Sequence, residues 1–183
     1  MKRTQINLKV REDILEKLDE KADKEHRTRS NMIEKMIIDY IGKRNYWLWV
    51  TRAGGLEDDL ERGYEMTWEG CDPRTSKGDK ALIYLTSPSK HVRYLVEILE
   101  DCQKDDILTK KGEVMGYICR FRILYTFEEP LQISQMRDYE SLEDWYPLKV
   151  SFIRMVFKIE EKYWNTLRDI LITKNSESKG SFG

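Results

Sequence analysis

Residues Arg3–Val10 read RTQINLKV, and their alternation is strict. Gln5, Asn7 and Lys9 are polar, while Ile6, Leu8 and Val10 are apolar. A period of two is the mark of a half-buried strand. Helical sequence follows at once, so this strand has no neighbour in its own stretch of chain to pair with. In residues 11–24, Ile14, Leu15, Leu18 and Ala22 fall on one face at helical spacing. EHRTRS then breaks the pattern, and Thr28 is placed to cap a second helix. That helix carries Met32, Ile33, Met36, Ile37, Tyr40 and Ile41 as a broad apolar stripe, and Gly42 is a natural stop. A second copy of the chain solves the problem of the unpaired strand. Two strands pair antiparallel across a two-fold axis, making a homodimer through the N-terminal strand. The apolar face of this ribbon rests on four helices, because a two-stranded ribbon is marginal alone. Its other face presents Gln5, Asn7 and Lys9 twice. Such a ribbon fits the major groove of double-stranded DNA, where Gln and Asn can bond adenine and Lys can donate to guanine.

These residues, QINLKV, the amphipathic helix from Arg11 and RTRSNMIEKMIIDYI, resemble the ribbon-helix-helix (Arc/MetJ/CopG-like) repressors. The resemblance implies that Gln5, Asn7 and Lys9 read bases. It also implies that Thr28, Arg29 and Ser30, opening the second helix, hold a DNA phosphate, in line with the anion preference of helix N-termini. Many members place Gly before the Arg of this turn, where this chain has His26.

The net charge of the 183-residue chain is −1, but residues 1–44 hold twelve Lys/Arg against nine Asp/Glu. A basic segment on an acidic remainder fits a nucleic-acid-binding module joined to something else. Cys71, Cys102 and Cys119 are odd in number and widely spaced, with only two histidines in the chain. That pattern offers no metal site, and it leads us to expect reduced thiols in a cytoplasmic protein. No apolar run approaches the ~18 residues of a membrane span, and no leader pattern is present, so no membrane partner is expected.

Beyond Asn45 the texture changes, and all five Trp lie there. Residues 46–50, 80–87, 94–101, 114–127 and 153–159 are rich in β-branched and aromatic residues and read as strands. Shorter helical patches fall at 56–63, 131–139 and 160–171. The expected class is α+β: a β-α-α module over 1–44, then a small mixed β-barrel with short helices over 45–173. The polar TKNSESKGSFG end suggests a disordered tail over 174–183.

YWLWV, WEGCDP (68–73), the Gly78–Asp79 turn before a strand ending in Tyr-x-Ser, and FIRMVFKIEEKYWNTL (152–167) resemble the EVE domain of the PUA-like superfamily. The resemblance implies a twisted barrel with an aromatic-lined pocket that takes a modified or flipped nucleobase. Carried over by position, Trp47, Trp49, Trp68, Tyr84 and Ser87 are its pocket candidates. Strand alternation puts Trp47 and Trp49 on one side together. Where the family has an Arg-Asn pair after Trp-x-Gly, this chain has Cys71–Arg74. Lys90, His91 and Arg93 are candidates for a basic rim along the phosphate backbone. No catalytic constellation, nucleotide loop or cofactor fingerprint is present, so a binding protein without cofactors is expected rather than an enzyme. Three functions remain open: a DNA-binding transcriptional regulator that reads a modified base, a repressor or antitoxin whose second domain senses a small ligand or protein, and an RNA-binding protein.

Overall fold

In a computed structural model, the described residues are 9–24, 28–41, 44–105 apart from 53, 55 and 57–59, and 116–183. The chain divides into two compact units, Met1–Lys43 and Arg44–Gly183. Gln5, Asn7 and the rest of the expected strand up to Leu8 lie outside the described residues, as does His26, while Lys9 and Val10 are described and exposed.

The first unit contains α1 (Glu12–Lys24) and α2 (Arg29–Ile41). Leu18, Ala22 and Met32 are buried between them, with Leu15 and Ile33 packed alongside. Thr28 Oγ1 accepts the backbone N–H of Asn31 at 3.3 Å, the N-cap expected from the sequence. The Arg29 guanidinium grips Asp19 of α1 with Nε at 2.6 Å and a second contact from Nη2. This fork ties the two helices together, and it holds the Asp19 carboxyl below its ordinary range.

The second unit is built on a curled half-barrel sheet of seven strands. They are β1 (Tyr46–Thr51), β2 (Glu65–Glu69), β3 (Lys80–Leu85), β4 (His91–Ile98), β5 (Gln103–Lys104), β6 (Tyr117–Gln132) and β7 (Val156–Ile159). The order is β2-β6-β4-β3-β1-β7, with β5 paired to β6. β1 and β3 are parallel, with Tyr46 opposite Lys80, and the other pairs are antiparallel. Three short helices, α3 (Ile133–Arg137), α4 (Tyr146–Lys149) and α5 (Glu161–Lys174), complete the fold, with 3-10 turns at Glu140–Leu142 and Ser176–Ser181. β1 is buried on both faces, which is why YWLWV is a continuous apolar run. Leu48, Val50, Leu82 and Tyr84 face a core completed by Trp145, Trp164 and Leu167. Trp47, Trp49, Ala81 and Ile83 face a second core with Trp68, Phe121 and Leu60.

Three expectations need correction. The tail is ordered: Ser178 and Ser181 are buried, and Phe182 stacks near Phe127 and Trp164. Its anchor is Lys80, 2% exposed, whose Nζ donates to the carbonyls of Ser181 at 3.0 Å and Gly183 at 2.5 Å. Polar composition misled here because a buried lysine elsewhere in the chain supplies the partner. Secondly, Cys71 and Cys102 form a disulfide, Cα atoms 6.3 Å apart, and only Cys119 is a free thiol. Glu69 of β2 and Gln103 of β5 both sit opposite Ile118 of β6, which brings the cysteines just beyond them together. Burial pushes the Cys119 thiol up to about 12. Thirdly, the helix expected over 56–63 is not formed at its described end, where residues 62–63 make a turn.

Two outcomes follow. Burial draws Lys80 down to about 8 from an ordinary 10.5. Between those values the unfolded chain binds more protons than the folded one, so this group makes stability rise with pH across that window. Denaturant titration from pH 7.5 to 10.5 should show that rise in the wild type and a flatter profile in Lys80→Met. The disulfide closes a loop of 31 residues. Reduction, or Cys71→Ser, should lower unfolding free energy by about 4 kcal/mol, read by urea melts.

Candidate nucleic-acid interface

The turn into β3 organises the site. Gly78 has a φ of 87°, the left-handed conformation that the Gly-Asp turn requires. It delivers Asp79, 3% exposed, beneath β1. The Asp79 carboxylate accepts Trp47 Nε1 at 2.8 Å, the Asn45 backbone N–H at 2.9 Å and that of Ser76 at 3.0 Å. Trp47 is thereby locked, fully buried, with the Arg74 guanidinium 5.9 Å from its ring centroid. Arg74 is itself held by Asp72 through Nε and Nη2, each at 2.8 Å.

Two residues along β1, Trp49 stacks on Trp68 of β2 with ring centroids 4.7 Å apart and planes 13° apart. Phe121 of β6 meets both rings edge-on. The Nε1 atoms of Trp49 and Trp68 are buried with no hydrogen-bond partner among the described residues, and so is the hydroxyl of Thr75. Buried donors are nearly always satisfied, and each orphan costs about 1–3 kcal/mol. Two such donors on one stacked pair form an aromatic face that lacks acceptors.

The five pocket candidates do not form one cluster. Trp47, Trp49 and Trp68 share a core, as alternation requires of the first two. Tyr84 lies on the opposite face, packed on Phe152 at 4.3 Å. Successive strand residues point to opposite sides, and Ile83 takes the tryptophan side. Ser87 is exposed, in the turn after β3, and its peptide bond to Pro88 is cis.

The proposed rim is uneven. Lys90 is exposed in a left-handed conformation. His91 is half-buried, and desolvation and the Arg93 charge lower its pKa. Arg93 donates to the Phe127 carbonyl at 2.7 Å, so it braces β6. In the first unit, Lys9, Thr28, Arg29 and Ser30 are all exposed, with Arg29 also engaged by Asp19. Sequence reasoning missed Asp79 as a hub, Lys80 as an anchor and the unpartnered Thr75. Only a Gly-Asp turn ahead of a strand hinted at the first. Among the described residues, no group of three His, Cys, Asp or Glu side chains is placed to hold a metal ion. No helix among them is long and apolar enough to cross a membrane.

A half-barrel with a tryptophan-lined core, preceded in the chain by a helix pair, defines a two-module protein. The EVE domain model matches residues 45–170, and the chain belongs to that family. The model of the ribbon-helix-helix protein, copG family, matches residues 4–44, so the chain is a fusion of the two. No curated protein matches. Among solved structures, the chain is similar in fold to a hypothetical protein from Leishmania major, at 14% identity and TM-score 0.59, covering 70% of this chain and 95% of that one. A protein from Agrobacterium tumefaciens matches at 18% identity and TM-score 0.56, covering 72% and 93%. The human THYN1 protein, solved in complex with 5-methylcytosine-containing DNA, matches at 13% identity and TM-score 0.51, covering 72% and 98%.

Proposed function

We propose that the protein is a dimeric DNA-binding regulator whose EVE domain binds a modified base withdrawn from the helix. The observation that carries the second half is the Trp49–Trp68 stack with its two unpartnered indole N–H groups. An unstacked base needs a new aromatic surface, worth about 1–3 kcal/mol per contact. It also brings ring nitrogens and carbonyl oxygens, the acceptors these donors lack. Trp68, 5% exposed against 0% for Trp49, is the outer member of the pair. THYN1, solved with 5-methylcytosine-containing DNA, supports 5-methylcytosine as the first modification to test.

The first half rests on the helix pair. Val10, Ile14, Met36 and Ile37 are all exposed in the single chain. Large apolar residues left bare on both helices call for a covering surface, and a second copy closing the ribbon provides one. The ribbon then chooses the place on DNA, and the EVE domain adds a chemical criterion. Nothing in this reading asks for bond-making, so the protein acts as a binder.

Two tests follow. Trp68→Ala should weaken binding to duplex carrying 5-methylcytosine by about tenfold, while unmodified duplex changes little. Equal losses on both would sink the base-reading role. Fragments bound from the native genome should be enriched in one sequence, and chemical analysis of that material would identify the base. Asn7→Ala should relax the sequence preference by about 1–3 kcal/mol per lost adenine contact. An unchanged preference in that mutant would leave the ribbon as a dimerisation device only. Tighter binding to some RNA than to duplex DNA at matched salt would favour an RNA role instead.

A further inference from the structure

β1 and β3 run parallel, and β4 and β7 run against them. The end of the sheet where β1 and β3 finish is therefore where β4 and β7 begin. Three connections meet there, and hydrogen bonds stitch them together. Thr86 N–H donates to the Thr51 carbonyl at 2.8 Å, and Val50 N–H to the Met155 carbonyl at 2.8 Å. Ile133 N–H, opening α3, donates to the Lys90 carbonyl at 3.0 Å. The Arg137 guanidinium lies 3.5 Å from Ser151 Oγ.

The 150–155 connection is the unusual part. Ser151 and Phe152 have φ of 51° and 56°. Two successive non-glycine residues in the left-handed region are strained and persist only when the surroundings impose them. Here the Phe152 ring is buried against Tyr84 and Trp145 and acts as the anchor. What the held turn presents is Ile153, 76% exposed, the barest large apolar side chain among the described residues. Arg154 follows, its guanidinium 5.7 Å from the ring centroid of Tyr146. Arg154 and Lys90 have no carboxylate partner among the described residues, and the nearby Asp144 is taken by Lys149 at 2.7 Å.

We propose that Ile153 is a wedge that enters the DNA duplex from which the base is withdrawn, with Arg154, Arg137 and Lys90 on the flanking phosphates. This rests on the base-binding reading above. Apolar wedges flanked by cations are how proteins unstack a base step, and a withdrawn base leaves a gap that needs filling. Ile is stiff at χ1 and loses little freedom on insertion. A protein partner fits less well, because Ile153 stands out at 76% exposed beyond its partly bare neighbours Met155 and Tyr146, and cations border it.

The test uses the full chain with a duplex carrying 5-methylcytosine, a fluorescent 2-aminopurine beside it, and the same labelled single strand. The wild type should raise 2-aminopurine fluorescence in the duplex. Ile153→Ala should lose that rise and bind the duplex about tenfold more weakly, with the single strand bound as before, since only a duplex needs opening. Ile153→Leu should restore both. Arg154→Ala should weaken duplex and single strand alike and reduce the salt dependence by about one phosphate contact. Normal unstacking by Ile153→Ala, or equal loss on duplex and single strand, overturns the wedge while leaving base binding intact. No preference of the wild type for the modified base in either form overturns base binding, and the wedge with it.

Discussion

One buried carboxylate sets the frame of the second domain. Asp79 receives the Trp47 indole N–H and the backbone N–H groups of Asn45 and Ser76. A charge this deep is tolerated only when its oxygens are bonded, and here three donors converge on it. The bonds matter because β1 and β3 are parallel neighbours and no tight hairpin can set their register. Asp79 joins the residues just before both strands and so sets that register at its foot. Trp47 is fixed by the same group, and alternation along β1 then fixes where Trp49 points.

The sheet that results is covered on both sides, and the two cores differ in character. The core beneath the helices is closed by aromatic contacts such as Tyr46 stacked on Trp164 at 4.2 Å. The other holds the Trp49–Trp68 stack with two donors that no described residue satisfies. Filling both positions with apolar rings would avoid that cost, so the sequence keeps a local inconsistency. Such departures concentrate where a protein meets a ligand. The doubly left-handed turn before Ile153 is a second departure in the same domain.

Much of this was legible in the chain. Period-two and helical spacing located α1, α2 and most strands, and Thr28 was readable as a cap because capping is a local act. Trp47 and Trp49 were correctly placed on one face by alternation alone. Tyr84 was grouped with them by position in a family pattern, and its side of the sheet separates it. β2 escaped because EMTWE is half polar and its outer face is exposed. The tail read as disordered because its own residues bury little; its order comes from Lys80, about a hundred residues away.

By itself, the sequence determined what depends on near neighbours: the helix pair and its cap, the continuous apolar strand buried on both sides, the Gly-Asp turn, and the order of pieces that marks the EVE and ribbon-helix-helix families. Tertiary structure decided what depends on residues far apart in the chain. Cys71 meets Cys102 because two strands flank β6 at one level. Lys80 finds carbonyls at the chain's far end, and Ile153 is raised at the end of the sheet where β1 and β3 finish and β7 begins. Such meetings are set by closure of long loops and by packing, and neither leaves a periodic trace in the sequence.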